Sequence, residues 1–105
     1  MKNKVVLFAL LLSPLFLFAH NGSINGRITE KASGLELPGA TVRLEPGGRY
    51  TTTNTLGLFS FSNLPAGVYT LTVNCVGYES QTAGAVTVRD SETSVLRIEL
   101  TPASV

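Results

Sequence analysis

The chain has 105 residues, 44% hydrophobic and 14% charged, with eight basic side chains, seven acidic ones and one cysteine. That describes a single small domain with no internal disulfide. Without clustered Lys and Arg it lacks the phosphate-neutralising stripe of a nucleic-acid binder, and the same balance argues against anionic lipid headgroups.

The opening stretch "MKNKVVLFALLLSPLFLFAHNG" stands apart in composition. Lys2 and Lys4 precede an uncharged run from Val5 to Phe18, followed by the small residue Ala19. A basic start, a short apolar run and a small residue at the cut describe a secretory signal peptide over residues 1–19. The run is shorter than the roughly 20 residues a bilayer-spanning helix needs. No cysteine follows it, which argues against a lipoprotein anchor. Cleavage there leaves residues 20–105 as the domain, and the loss of Lys2 and Lys4 takes eight basic residues to six against seven acidic. A domain of this size buries only about 60–65% of its unfolded surface, so its stability rests on tight apolar packing.

Beyond the signal, short runs of period-two alternation are punctuated by Gly, Pro and Asn, the pattern of an all-β sandwich or barrel. The first strand is expected at Ser23–Thr29, with Ile24 and Ile28 on one face and Gly26 between them. A loop with a turn at Pro38-Gly39 follows. Ala40–Glu45 then alternates, Ala40, Val42 and Leu44 inward and Thr41, Arg43 and Glu45 outward. The triplet Pro46–Gly48 predicts a hairpin turn, and Arg49–Asn54 a polar, β-branched strand with one wet face.

Thr55–Gly57 turns the chain again into "LFSFSNL", where Phe59 and Phe61 face in and Ser60 and Ser62 face away. The turn "PAG" at Pro65–Gly67 leads into the most regular strand, with Tyr69, Leu71, Val73 and Cys75 inward. Val86–Arg89 and Val95–Thr101 complete the set, Leu96, Ile98 and Leu100 sharing the buried side. No window after the signal has helical period. About seven short strands in so few residues make two packed sheets, each with one dry face.

Residues able to do chemistry are scattered. His20 is the only histidine and lies at the candidate cleavage point, with no Cys or carboxylate cluster to complete a metal site. Cys75 has no partner base in the folded part and alternates into the core, so it reads as a buried, unreactive thiol. Asp90 and Glu92 are the only acids close in sequence, inside an ordinary turn, and no glycine loop has the strand–loop–helix context of a phosphate cradle. The residue chemistry therefore points to no enzyme, no cofactor and no metal. Tyr50 and Tyr78 remain as candidates for stacking on a glycan.

The motif glycines and prolines read as folding devices. Gly39, Gly57 and Gly67 fall where a turn needs positive φ or where a side chain would crowd the next strand. Pro65 pre-sets φ for the turn before Tyr69, and Gly77 breaks the alternation so that Tyr78 can fold over the sandwich edge. The thinly protected edge is Arg49–Asn54, where Tyr50, Thr51, Thr52 and Thr53 offer backbone groups to a partner strand with neither proline nor, beyond Arg49, charge in the way.

Two pieces in order carry a family resemblance. "INGRITEKASGLELPGATVRL" and "TTTNTLGLFSFSNLPAGVYTLTVNCVGYES" resemble carboxypeptidase regulatory-like domains: a Pro-Gly-Ala-x-Val strand, a Gly-x-Phe strand, a Leu-Pro-Ala-Gly-x-Tyr turn and a closing Val-Gly-Tyr. The resemblance implies a seven-stranded, transthyretin/prealbumin-like Greek-key β-sandwich with Gly39, Gly57, Phe59, Phe61, Pro65, Gly67, Tyr69, Gly77 and Tyr78 as its structural motif. A signal peptide followed at once by this domain is similar to the N-terminus of many TonB-dependent outer-membrane receptors. The implied setting is the periplasm of a Gram-negative bacterium, at the outer membrane. The implied partner is a receptor plug or barrel, or the TonB system, in nutrient uptake. The plug and barrel of such a receptor lie beyond these residues, so the chain reads as a fragment of one or as a stand-alone copy. The alternative is a free-standing secreted sandwich with an adhesive, scaffolding or carbohydrate-binding role.

Overall fold

A computed structural model of the chain describes residues 20–104. The expected signal peptide, residues 1–19, lies outside the described residues. Among the described residues there are seven strands and no helix: β1 (Gly22–Glu30), β2 (Thr41–Glu45), β3 (Arg49–Thr52), β4 (Leu58–Leu64), β5 (Gly67–Asn74), β6 (Gln81–Val88) and β7 (Thr93–Leu100). They form a three-stranded sheet in the order β4-β1-β7 and a four-stranded sheet in the order β3-β2-β5-β6. The chain crosses between sheets after β1, β3, β4 and β6. Neighbours pair antiparallel except β1 and β7, which run parallel.

Alternation decides what is buried. On the three-stranded sheet Ile24, Ile28, Phe59, Phe61, Leu64, Ile98 and Leu100 turn inward; on the other, Val42, Leu44, Tyr69, Leu71, Val73, Val86 and Val88 meet them. Burying one such side chain is worth roughly 1.5–3 kcal/mol, so this layer supplies most of the fold's driving force. Phe59 and Phe61 meet edge to face, with ring centroids 6.1 Å apart. β5 lies in the interior of its sheet between β2 and β6, as its regular pattern of Tyr69, Leu71 and Val73 requires.

Several boundaries differ from expectation, three of them with an identifiable cause. β6 begins at Gln81, well before Val86, because "QTAGA" carries no apolar alternation and is held only by main-chain pairing to β5. Within it Ala85 has φ 56° and the register slips between Tyr69 and Leu71, a bulge that erases the period. β5 stops at Asn74, which leaves Cys75 half-buried at the start of a turn rather than inside the core. β3 ends at Thr52, and Thr53 turns inward.

Candidate functional site

The expected interaction edge is β3, one of the two outer strands of the four-stranded sheet. Which of its backbone groups are free follows from the ladder. Thr53 N–H donates to Ala40 C=O at 2.9 Å. Hydrogen-bonding direction alternates along an antiparallel strand. Thr51 and Arg49 therefore bond towards β2, and Tyr50 and Thr52 turn their N–H and C=O groups outward. Their side chains lie on the wet face, Tyr50 opposite Arg43 and 75% exposed.

Thr53 does not belong to this edge. It is 6% exposed, its hydroxyl donates to Leu37 C=O at 2.6 Å, and it accepts from Ala40 N–H at 2.9 Å. It is a buried hinge that ties the loop before β2 to the end of β3. A run of three threonines conceals this, because only the strand's end decides which one turns in.

Across the gap lies β4, an outer strand of the other sheet. Ile28 N–H donates to Gly57 C=O at 2.8 Å, so by alternation Phe59 and Phe61 bond to β1 while Leu58, Ser60 and Ser62 face outward. Asn54 satisfies Leu58 on both sides: its Oδ1 accepts Leu58 N–H at 3.0 Å and its N–H donates to Leu58 C=O at 3.0 Å. Arg49 reaches across from β3, donating from Nη1 to Ser62 C=O at 2.9 Å with its guanidinium carbon 5.7 Å from the centroid of the Phe61 ring. What stays open is the main chain of Tyr50, Thr52 and Ser60. Thr52 and Ser60 border a groove of about 520 Å³ lined also by Thr51, Asn54, Leu58 and Asn25 among others.

The motif residues take varied roles. Gly57 has φ 73°, and a Cβ there would lie 2.6 Å from Ile28 C=O, so positive φ and close approach act together. Gly39 and Gly77 also have positive φ, with open space around them. Gly67 has neither feature: its φ is ordinary, and a Cβ would lie 3.9 Å from the Tyr69 ring, which corrects the expectation that it is crowded. Pro65 contributes its carbonyl as well as its φ, accepting the Tyr69 hydroxyl at 2.6 Å.

Tyr78 folds over the end of the sandwich. Its hydroxyl donates to Glu30 Oε2 at 2.6 Å, and its backbone bridges Pro102. The bond holds the Glu30 carboxyl below its usual range, helped by the Ser33 hydroxyl, and pushes the Tyr78 phenol up. Tyr78 is therefore a half-buried clamp, and it shares no stacking platform with Tyr50, which stands on the wet face of β3. Cys75 packs partly against the core beside it. Among the described residues no three His, Cys, Asp or Glu side chains come together, and His20 is exposed ahead of β1.

Two packed sheets and seven strands define a small β-sandwich module. The family model of the carboxypeptidase regulatory-like domain matches residues 23–101, and the chain belongs to that family. Among solved structures the chain is similar to the minor pilin of Streptococcus agalactiae, at 19% identity and TM-score 0.66, covering 85% of this chain and 48% of that one. It is similar to the TIE protein of Bacillus anthracis, at 23% identity and TM-score 0.66, covering 80% and 17%. It is also similar to a chain of a cohesin–X-dockerin complex from Acetivibrio cellulolyticus, at 19% and 0.65, covering 77% and 58%. The chain thus spans less than two thirds of each, and the likeness is one of fold. No curated protein matches the chain.

Proposed function

We propose that this chain is a non-catalytic accessory domain that works by protein–protein contact through its open β3–β4 side. Its setting is the periplasm, reached through the signal at residues 1–19, as part of a TonB-dependent outer-membrane receptor or beside one. The observation that carries the reading is the outward main chain of Tyr50, Thr52 and Ser60, an edge with no proline or bulge to blunt it. Family membership supports a regulatory, binding role, and the resemblance of the leader and domain to receptor N-termini supports the location. A second reading, an adhesive or scaffolding sandwich, is supported by the likeness in fold to a minor pilin and to a cohesin–X-dockerin chain.

Thr52→Pro tests the edge, because it removes an outward N–H and leaves the β2–β3 ladder intact. Pull-down from envelope extracts should recover a partner with the parent chain and lose it with Thr52→Pro and Thr52→Lys, both still folded by circular dichroism. Mass spectrometry should place the mature N-terminus near His20. A retained leader, or docking unchanged in both variants, overturns the reading. Recovery of receptor plug or barrel peptides favours the receptor setting, and recovery of other copies of the chain or of surface fibres favours the scaffold.

A further inference from the structure

The wet face of the three-stranded sheet carries a feature that edge docking does not use. Arg27 and Arg97 are direct partners on the parallel strands β1 and β7. Adjacent strands lie roughly 4.8 Å apart, so the two arginine side chains leave the sheet side by side on one exposed face. Like charges directly opposite each other destabilise a sheet unless something neutralises them. Among the described residues the ion pair is Arg43–Glu45, on the other sheet, and neither Arg27 nor Arg97 has a carboxylate partner. Glu36, bridged to Thr29, and Glu99, paired with Thr29 on β7, stand one row further along without closing on either arginine.

The surroundings of the pair are equally specific. A groove of about 370 Å³ is lined by Asn25, Arg27, Leu58, Val95, Leu96 and Arg97, with Gly26 in its floor. Asn25 accepts the Ser60 hydroxyl on its Oδ1 at 2.7 Å, which leaves its NH2 group to face solvent. The polar side chains of the groove are thus mainly donors, two guanidinium groups and one amide NH2. Val95, 79% exposed, and the half-buried Leu58 flank them with aliphatic surface. Arginines beside apolar side chains are the composition of interface hot spots, and a planar fork of donors fits a carboxylate bidentately.

The geometry points to this groove as a docking site for an acidic peptide segment, its carboxylates held between Arg27 and Arg97 and its apolar side chains laid on Leu58 and Val95. The site lies on the face of β1 and β7, and it does not depend on whether the β3 edge binds anything.

Blocked hexaglutamate is the probe, titrated into the purified chain and followed by amide NMR, with blocked hexalysine and a sulfated hexasaccharide as comparisons. Hexaglutamate should shift Asn25, Arg27, Val95 and Arg97, and should bind at least tenfold more weakly when salt rises from 50 to 300 mM. The double variant Arg27→Gln/Arg97→Gln should lose at least tenfold in affinity and melt no lower than the parent, since it relieves like-charge repulsion. Arg97→Glu should bind no hexaglutamate and melt higher, because it pairs with Arg27 across the strands. Shifts confined to other faces, affinity indifferent to the double variant, or no binding overturns the proposal. Tighter binding of the sulfated sugar at the same residues overturns the peptide assignment. None of these outcomes bears on the Thr52 variants, so the two readings fail separately.

Discussion

At one end of the sandwich the two sheets are joined through main chain, between the turn after β5 and the residues that follow β7. Glu79 N–H donates to Thr101 C=O at 2.9 Å, Ala103 N–H donates to Gly77 C=O at 2.9 Å, and Tyr78 bridges Pro102. Along the β3–β4 side the joints are side chains: Arg49 on Ser62 and Phe61, Asn54 on Leu58, and Thr53 on Leu37 and Ala40. A main-chain seam consumes the backbone groups it joins, so none of those is left over for a partner. Side-chain fasteners hold the sheets together yet leave the outward groups of Tyr50, Thr52 and Ser60 unpaired. The β3–β4 side therefore depends for its closure on particular residues while still offering main chain for docking.

That contrast can be broken most severely at Phe61, which is 2% exposed and underlies the Arg49 guanidinium. Phe61→Ala should cost about 3–5 kcal/mol in urea unfolding, from lost burial and the cavity left behind. A loss under about 1 kcal/mol would show that the open side is not held by that ring.

Thr53→Val keeps the shape of the hinge but leaves Leu37 C=O and Ala40 N–H without their hydroxyl partner. The expected cost is about 1–3 kcal/mol, while Thr52→Val on the wet face should stay within about 0.5 kcal/mol. Equal effects at the two threonines would mean the hinge is not what ends β3.

The glycines sharpen the comparison further. Gly57→Ala puts a Cβ against Ile28 C=O at positive φ and should destabilise by more than about 1 kcal/mol, whereas Gly67→Ala should be neutral or gain up to about 1 kcal/mol by stiffening the unfolded chain. Thermal melts of the pair would decide it, and a costly Gly67→Ala would overturn the assignment.

The smallest effect belongs to the seam. The Glu30 carboxyl is lowered by the Tyr78 hydroxyl first and by Ser33 second. A carboxylate depressed in the folded state contributes stability above its unfolded pKa and loses it as pH falls through the folded one. Tyr78, raised by the same bond, contributes stability below its own unfolded pKa and loses it as pH climbs through the raised value. Melting temperature should therefore sag at both the acid and the strongly alkaline ends. Tyr78→Phe should reduce the loss at both the alkaline and the acid limb, the acid one only in part because Ser33 remains. An unchanged profile would mean that the clamp carries no weight.

Much of this architecture was legible beforehand, and the exceptions have a common cause. β2, β4 and β5 carry strict alternation, so Val42, Leu44, Phe59, Phe61, Tyr69, Leu71 and Val73 declared their face unaided. β6 did not, because an edge strand buried at only a few positions has no reason to alternate, and its bulge at Ala85 breaks the period. The β3 edge was legible as a polar, proline-free run, but Thr53 was not separable from Thr51 and Thr52. Cys75 extended the alternation of β5 by one step, and the turn that removes it from the core depends on the pairing of Gly77–Glu79 with the residues after β7.

Local pattern alone therefore determined the all-β class, the number of strands, the inward residues of the regular ones and the family. Period-two burial is written in residues two apart, and turn chemistry in residues side by side. Tertiary structure alone decided what lies opposite what. Arg27 meets Arg97 only because β1 and β7 run parallel in one register, Tyr78 reaches Glu30 only because the ends of β1 and β5 converge, and Arg49 crosses to Ser62 only because β3 and β4 face each other across the gap. Those partners are separated by long stretches of chain, and the forces that bring them together belong to the packed core between the sheets.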